Sequence, residues 1–333
     1  MAVGLVDKCY YIKIIILGYT VLLNNKIGVL VMSKILVSAA LCIDVSLKIK
    51  GFPVKYEPID INTFGIESVI GGVCANVSKG FKSLGDCVDV ISLLSGDDES
   101  ERIRSFLKKE DIGICYIDDS LKATPHSVIM YDQSGRRLIE SDMKDIYEKS
   151  IVAEILDTKD IDQYDAVVFG NFSFNYELIK ECRKRNKLTV CDVQVLDGID
   201  NEKNKNFMKY TDILFFSDEK VKGNLEDFMR AVASKYNNKI IVVGRGKEGA
   251  ALYITSEDKV YISEAPDIRP VVNTVGAGDA LCTSFVHYYL KGDKPIEALK
   301  KAEIFASYKI GESGASVGFP NESIVENYYQ LLK

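Results

Sequence analysis

Downstream of Met32 the chain alternates short apolar, β-branched runs with longer stretches whose apolar residues recur three or four apart. That alternation constrains the fold more than any single motif, because strands separated by helices must pair in parallel and be covered on their faces. Ile35 to Leu41, Val88 to Leu93, Ala166 to Gly170, Leu188 to Cys191, Ile213 to Phe216 and Ile240 to Gly244 read as buried strands. Residues 73–84 place Val73, Val77, Phe81 and Leu84 on one helical face, with Gly85 as the stop. Further helices are expected over 99–109, 175–186 and 224–236, and the chain ends in three helical segments near 277–290, 295–311 and 321–332. The expected fold is α/β, a three-layer, mostly parallel sheet with helices on both faces. Two regions break the rhythm. Residues 44–61 and 123–141 alternate polar and apolar side chains, and the second contains the turn Asp132-Gln133-Ser134-Gly135. Half-buried strands of that kind suit a small sheet, a β-lid over a pocket.

The stretch from Tyr10 to Val31 is apolar but interrupted by Lys13, Asn24, Asn25 and Lys26. Those interruptions argue against a membrane-spanning helix of about 20 apolar residues and against a signal peptide. Residues 1–31 are therefore expected to form an N-terminal extension outside the fold, with an extra strand or a membrane anchor as the alternatives, and residues 32–333 to form the domain. The net charge of −6, without a basic block, disfavours nucleic-acid and membrane-surface partners. Eight cysteines include no C-x-x-C pair, and the two histidines, His126 and His287, lie far apart. A zinc site or a disulfide framework is not expected, and a reducing cytoplasm is the natural compartment.

The residues that carry chemistry are Asn273-Thr274-Val275-Gly276-Ala277-Gly278-Asp279-Ala280, followed at once by an apolar helical run. Glycines let the backbone approach a ligand closely, and free N–H groups at a helix start point toward an anion. An aspartate in such a turn would repel the anion, so its sensible role is general base toward an attacking hydroxyl. A dinucleotide fingerprint would need Gly or Ala where Leu281 stands, and a Walker A loop would need Ser or Thr where Glu248 follows Gly246-Lys247. The bland alternative is a glycine-rich helix entry with no ligand.

The stretch from Thr274 to Asp279 resembles the C-terminal signature of the ribokinase-like (PfkB) sugar kinases. Other family features recur in order. Gly71-Gly72 with Asn76 is similar to the N-terminal glycine pair and substrate asparagine. Asp44 matches an aspartate that receives sugar hydroxyls, Gly96-Asp97-Asp98 resembles the family's G-x-D turn, and Gly244 through Gly249 is similar to the glycine turn beside the nucleotide. The resemblance implies an ATP-dependent kinase acting on a sugar or nucleoside hydroxyl. Asp279 would be the base, and the amides of Gly276, Ala277 and Gly278 the anion hole. Asp44, Gly71, Gly72, Asn76 and Asn171 would lie at the substrate, and Ser217, Lys220, Gly244, Gly246, Gly249 and Thr274 at the nucleotide. It also implies a homodimer through the lid.

Three departures from the family pattern matter. Where the family has N-x-x-E after the strand at 213–216, this chain has Ser217-Asp218-Glu219-Lys220, leaving Glu219 as the candidate magnesium contact. Asn273 stands where the family usually has the aspartate of a monovalent-cation site, which leaves potassium open. Asp192-Val193-Gln194-Val195, without a following Arg, counts against a fructokinase. Arg136 and Arg137, at the hairpin of the lid, are expected to be solvated, so an unphosphorylated acceptor is favoured. A catalytically weak binding or regulatory protein on the same fold is the alternative, and a nicotinamide oxidoreductase is disfavoured by Leu281.

Overall fold

The computed structural model describes residues 32–151 and 160–333. The expectation for residues 1–31 lies outside the described residues.

Nine strands form the main sheet, in the order β13-β12-β11-β10-β9-β8-β1-β4-β5. They are β1 (Lys34–Ser38), β4 (Cys87–Leu93), β5 (Gly113–Asp118), β8 (Ala166–Gly170), β9 (Leu188–Val195), β10 (Ile213–Ser217), β11 (Ile240–Gly244), β12 (Ala250–Ile254) and β13 (Lys259–Ser263). Pairing is parallel from β5 through β11, and β12 and β13 add an antiparallel edge. The period-2 alternation of strand side chains divides the interior in two. Ile35 and Val37 of β1, Ile240 and Val242 of β11 and Leu252 of β12 enter one core. Leu36, Ile241, Val243 and Ala251 enter the other.

The first core is covered by α1 (Gly72–Leu84), α2 (Asp98–Lys109), α6 (Ala277–Leu290), α7 (Pro295–Lys309) and α8 (Glu322–Leu331). The second is covered by α3 (Tyr176–Lys184), α4 (Lys205–Tyr210) and α5 (Leu225–Tyr236). The α1 stop falls as expected, with Gly85 left-handed and donating to the carbonyls that end the helix. No helix among the described residues is long and apolar enough to cross a membrane.

A second, four-stranded sheet has the order β3-β2-β6-β7. Its strands are β2 (Cys42–Lys48), β3 (Ile66–Gly71), β6 (His126–Tyr131) and β7 (Arg137–Asp142). Here the sequence reading of 44–61 needs correction. Only its first residues are strand, residues 49–65 form an exposed loop, and the partner strand is the unforeseen β3. Pro53 and Pro58 supply no N–H to a ladder, which is the physical reason the alternation there does not become a strand. The first main strand likewise ends at Ser38, and the chain crosses from it into β2. Strands β5, β12 and β13 were not expected from the sequence.

This topology fixes where a ligand can sit. The strand order reverses at β1, flanked by β4 and β8, and a crevice opens outside the carboxyl ends of such strands. Ser38, Gly170, Val195, Ser217 and Gly244 end five of the seven parallel strands on that rim.

Candidate active site

Two helix N-termini meet above the rim. Helix α6 is capped by Gly276, whose φ of +78° is left-handed and whose absent Cβ would fall 3.3 Å from Lys309 Nζ and 2.8 Å from the Ala315 carbonyl oxygen. Thr274 O accepts from Ala277 N at 3.2 Å and Gly276 O from Ala280 N at 3.0 Å, winding the turn directly into the helix. The first-turn amides of such a helix have no intrahelical acceptor and carry the positive end of its dipole. Helix α1 packs against α6, with Gly80 so close to Thr283 that a Cβ would lie 2.8 Å from its methyl group.

That close packing brings Asn76 to Asp279. Asn76 Nδ2 donates to Asp279 Oδ2 at 2.7 Å, while Asn76 Oδ1 is buried without a partner. Asp279 is only partly shielded from solvent but is enclosed by protein atoms. Desolvation lifts its pKa to about 6; the Asn76 hydrogen bond and Lys309 oppose the rise, and Asp192 and Asp44 reinforce it. A carboxylate of that basicity is better matched to proton abstraction near neutral pH than an ordinary aspartate.

The paired glycines have separate causes. Gly71 gives room to Asp44, whose Oδ2 would lie 1.9 Å from a Cβ there. Gly72 has φ +83° and sits where a Cβ would be 2.5 Å from the Ala40 carbonyl oxygen. Asp44 is buried on β2 and accepts from Cys42 Sγ at 3.2 Å. Desolvation raises its pKa, partly offset by hydrogen bonds from Cys42, the Gly72 N–H and Ser127. Asp44, Gly71, Gly72, Asn76, the Gly276–Gly278 turn and Asp279 thus form one cluster.

The other expected residues are distributed along the rim. Asn171 follows β8, and its Nδ2 donates to Asn204 Oδ1 at 3.1 Å and Val193 O at 3.5 Å, so its amide braces the ends of the neighbouring elements. Gly244 ends β11 beside Leu281 of α6, at 3.9 Å from its Cδ2 to the position of a Cβ. Gly246 and Gly249 form the turn that follows, and Gly249 packs against the Ser263 carbonyl. Ser217 Oγ accepts from Glu219 N at 3.4 Å, and Glu219 and Lys220 are exposed. Among the described residues no hydrogen bond or ion pair joins Ser217, Glu219 or Lys220 to Asp279, and no cluster of three carboxylate, imidazole or thiolate groups could hold a metal.

Sequence reasoning missed four contributors and misjudged a fifth. Asp192 on β9 lies 3.5 Å from a Cβ built on Gly278, and desolvation raises its pKa. Cys42 and Ser127 support Asp44, and Lys309 lies under the Gly276 turn. Lys309 had a visible signal, a charge on the same helical face as Ala302, Phe305 and Ala306. Arg137 is not merely solvated, as the sequence suggested. Its Nη1 donates to Thr274 Oγ1, tying the β6–β7 hairpin to the turn that opens α6. Its neighbour Arg136 stacks over Phe52 at 5.4 Å. A shallow cavity of about 440 Å³ between this hairpin and Glu219 is lined by residues 135–139 and Glu219. Asp97, in the G-x-D turn, caps α2 and accepts from Thr124 N and Oγ1 at 3.0 and 2.6 Å, joining the two sheets.

This arrangement has relatives. The 5-dehydro-2-deoxygluconokinase of Clostridium perfringens is 24% identical over 316 residues, covering 84% of this chain and 91% of that protein. Among solved structures, a microbiome-derived acarbose kinase superposes with a TM-score of 0.82 at 19% identity, over 90% of this chain and 99% of its own. Arabidopsis thaliana ribokinase, solved with ribose and ATP, gives 0.72 at 20% identity over 90% and 99%. The family profile described as pfkB family carbohydrate kinase matches residues 32–322, so the chain belongs to the pfkB family of carbohydrate kinases.

Proposed function

We propose that this protein transfers the γ-phosphoryl group of ATP to a hydroxyl of a sugar or nucleoside. The observation that carries the reading is Asp279, raised to about 6 and held by Asn76 at the mouth of an open helix N-terminus. The acceptor hydroxyl gives its proton to Asp279 as its oxygen bonds to the γ-phosphorus and the bond to the ADP oxygen breaks. The amides of Gly276 and Gly278, joined by that of Ala277 once it leaves the Thr274 carbonyl, take the charge on the transferring group. Asp44 and the unpartnered Asn76 Oδ1 can each accept a hydrogen bond from an acceptor hydroxyl and orient it. Ser217, Lys220, Gly244, Gly246, Gly249 and Thr274 would line the nucleotide.

Magnesium, where bound with the nucleotide, would supply charge neutralisation on its phosphates. Glu219 and Asp218 are the carboxylates at the β10 end that could face it, and most other ligands would come from phosphate and water. The four-stranded sheet would close over the acceptor and exclude water. Its exposed Val128 and Leu138, which share one face, with Tyr56, Ile59 and Phe64 of the adjoining loop, support a lid face that meets a second copy of the chain.

The test is ADP release with Mg-ATP over a panel of pentoses, hexoses and nucleosides. Deoxyribose and 5-dehydro-2-deoxygluconate belong in the panel because relatives carry those names. Turnover on one acceptor that vanishes in Asp279→Asn supports the reading. Silence from folded protein across the panel, with tight acceptor binding, would instead favour the weakly catalytic binding protein, for which the exposed Glu219 and Lys220 after β10 are the motivating observation.

A further inference from the structure

Lys309 is the last residue of α7 and is fully buried. Its ammonium donates to the backbone carbonyls of Val275 and, at 2.9 Å, Gly314. The two loops that supply these oxygens are joined again by Val272 N and Asn273 N, both donating to Ile310 O, at 2.9 and 3.0 Å. Among the described residues Lys309 makes no ion pair with a carboxylate. Its charge is therefore met by carbonyl dipoles, with Asp279 as an opposing charge that acts on it and Arg137 as a like one. A buried charge without a counter-ion is costly and needs a compensating interaction. Here the beneficiary is adjacent: the ammonium lies 3.3 Å from the position of a Cβ on Gly276, directly beneath the amides that open α6.

A cage of backbone carbonyls around a compact cation is also how proteins hold a dehydrated monovalent metal ion. This cage does not fit one. The lysine ammonium already uses two of its oxygens. Residue 273, where a charged ligand would help, is a neutral asparagine whose Oδ1 accepts from Val275 N at 2.9 Å and whose buried Nδ2 presents an unpartnered donor. We infer that the Lys309 ammonium is the resident cation of the catalytic turn: a positioning residue that holds the Val275 and Gly314 carbonyls and lends positive potential to the anion hole, making the turn independent of dissolved potassium. This inference rests on the kinase reading for its catalytic part only.

The experiment has two readouts. Wild-type protein is assayed for turnover, and separately melted, in potassium, sodium and tetramethylammonium chloride at equal ionic strength. Lys309→Ala and the volume-filling Lys309→Met are treated identically. For wild type, neither rate nor melting temperature should distinguish potassium from tetramethylammonium. Both variants should lose roughly a hundredfold in kcat, the effect expected for weakening an oxyanion site. In Lys309→Ala, potassium or methylammonium should restore tenfold or more and raise the melting temperature, while tetramethylammonium, too large for the cage, does neither.

Melting needs no substrate, so a cation-responsive variant beside an unresponsive wild type supports the resident cation even if no acceptor is ever phosphorylated. A severalfold potassium stimulation of the wild type, or a potassium-dependent rise in its melting temperature, overturns the inference, and this arm decides even where a variant fails to fold. A folded Lys309→Ala that melts identically in all three salts overturns it as well.

Discussion

The turn at 273–279, to which we assign the anion hole and the base, and the β6–β7 hairpin at 132–142 face one another, yet they are built in opposite ways. The turn is locked from beneath by a buried lysine, from the side by α1 through Asn76, and from behind by the backbone bonds between Val272, Asn273 and Ile310. The hairpin projects from an edge strand, β7, of which all six residues are exposed, and Arg137 links it to Thr274 of the turn. Groups that carry chemistry need sub-ångström placement, which fixed elements supply. A segment that must admit an acceptor and then exclude water has to come from the weakly held end of the stability range. On this account substitutions in the turn are poorly tolerated, whereas substitutions in the hairpin are absorbed.

The largest effect is expected at Asp279, the proposed base. Asp279→Asn keeps the shape of the side chain and its place beside Asn76 but removes the proton acceptor. We expect kcat to fall by about 10²–10⁴ while binding of the acceptor, followed by calorimetry, changes little. Equal losses of binding and rate would instead make Asp279 a substrate-holding residue.

Next comes the glycine that feeds the site. Gly72→Ala forces a side chain into φ +83° and against the Ala40 carbonyl oxygen. A loss of about 1–3 kcal/mol in denaturant stability is expected, accompanied by reduced turnover because α1 carries Asn76. A variant as stable as wild type would show that the α1 entry is softer than its geometry implies.

Much of this was legible in advance, for reasons that particular residues make clear. The Gly276–Asp279 turn is local in sequence: each requirement, whether φ, space or charge, falls on residues within one helical turn. The three-layer fold was legible because Ile35, Val37, Ile240 and Val242 repeat with the period of a strand against helices of period 3.6. Strand β3 was not, because Ile66 and Val69 are exposed or half-exposed and only pairing with β2 makes them a strand. Arg137 was misjudged because its partner, Thr274, is 137 residues away, and no local pattern encodes a contact of that range. For Lys309 the helical pattern signals burial, but not that its ammonium meets Val275, 34 residues away.

The pH profile distinguishes the buried region from the exposed one. Asp279 must be ionised to accept a proton, and its raised value places the acid limb of kcat/KM near 6. It faces Asn76, Asp192, Lys309 and Asp44, so the limb belongs to that group of residues together. Lys309 faces Asp279 and Arg137, and desolvation lowers its pKa to about 8, so its ammonium and the potential of the turn are lost above that pH. A bell with limbs near 6 and 8 is expected, measured from initial rates at saturating Mg-ATP. Replacing Asp192 by Asn removes a neighbouring negative charge and should shift the acid limb downward, whereas Arg137→Ala should leave that limb in place.

The smallest effect is expected at the hairpin. Arg137 contributes one charged hydrogen bond to a hydroxyl at a largely solvated edge, an interaction that adds about 1–2 kcal/mol at most. Removing it in Arg137→Ala leaves both sheets and every buried contact of the turn intact. Global stability should therefore stay within about 0.5 kcal/mol of wild type. Loss of the tether should instead appear locally, as faster amide exchange across residues 132–142. In turnover it should appear as a reduction of about tenfold or less in kcat/KM, partly recovered in Arg137→Lys. Unchanged exchange in the hairpin together with unchanged kcat/KM would mean that the two regions are coupled through the β2–β6 pairing and the Asp97–Thr124 bonds, and that the hairpin closes without help from the turn it covers.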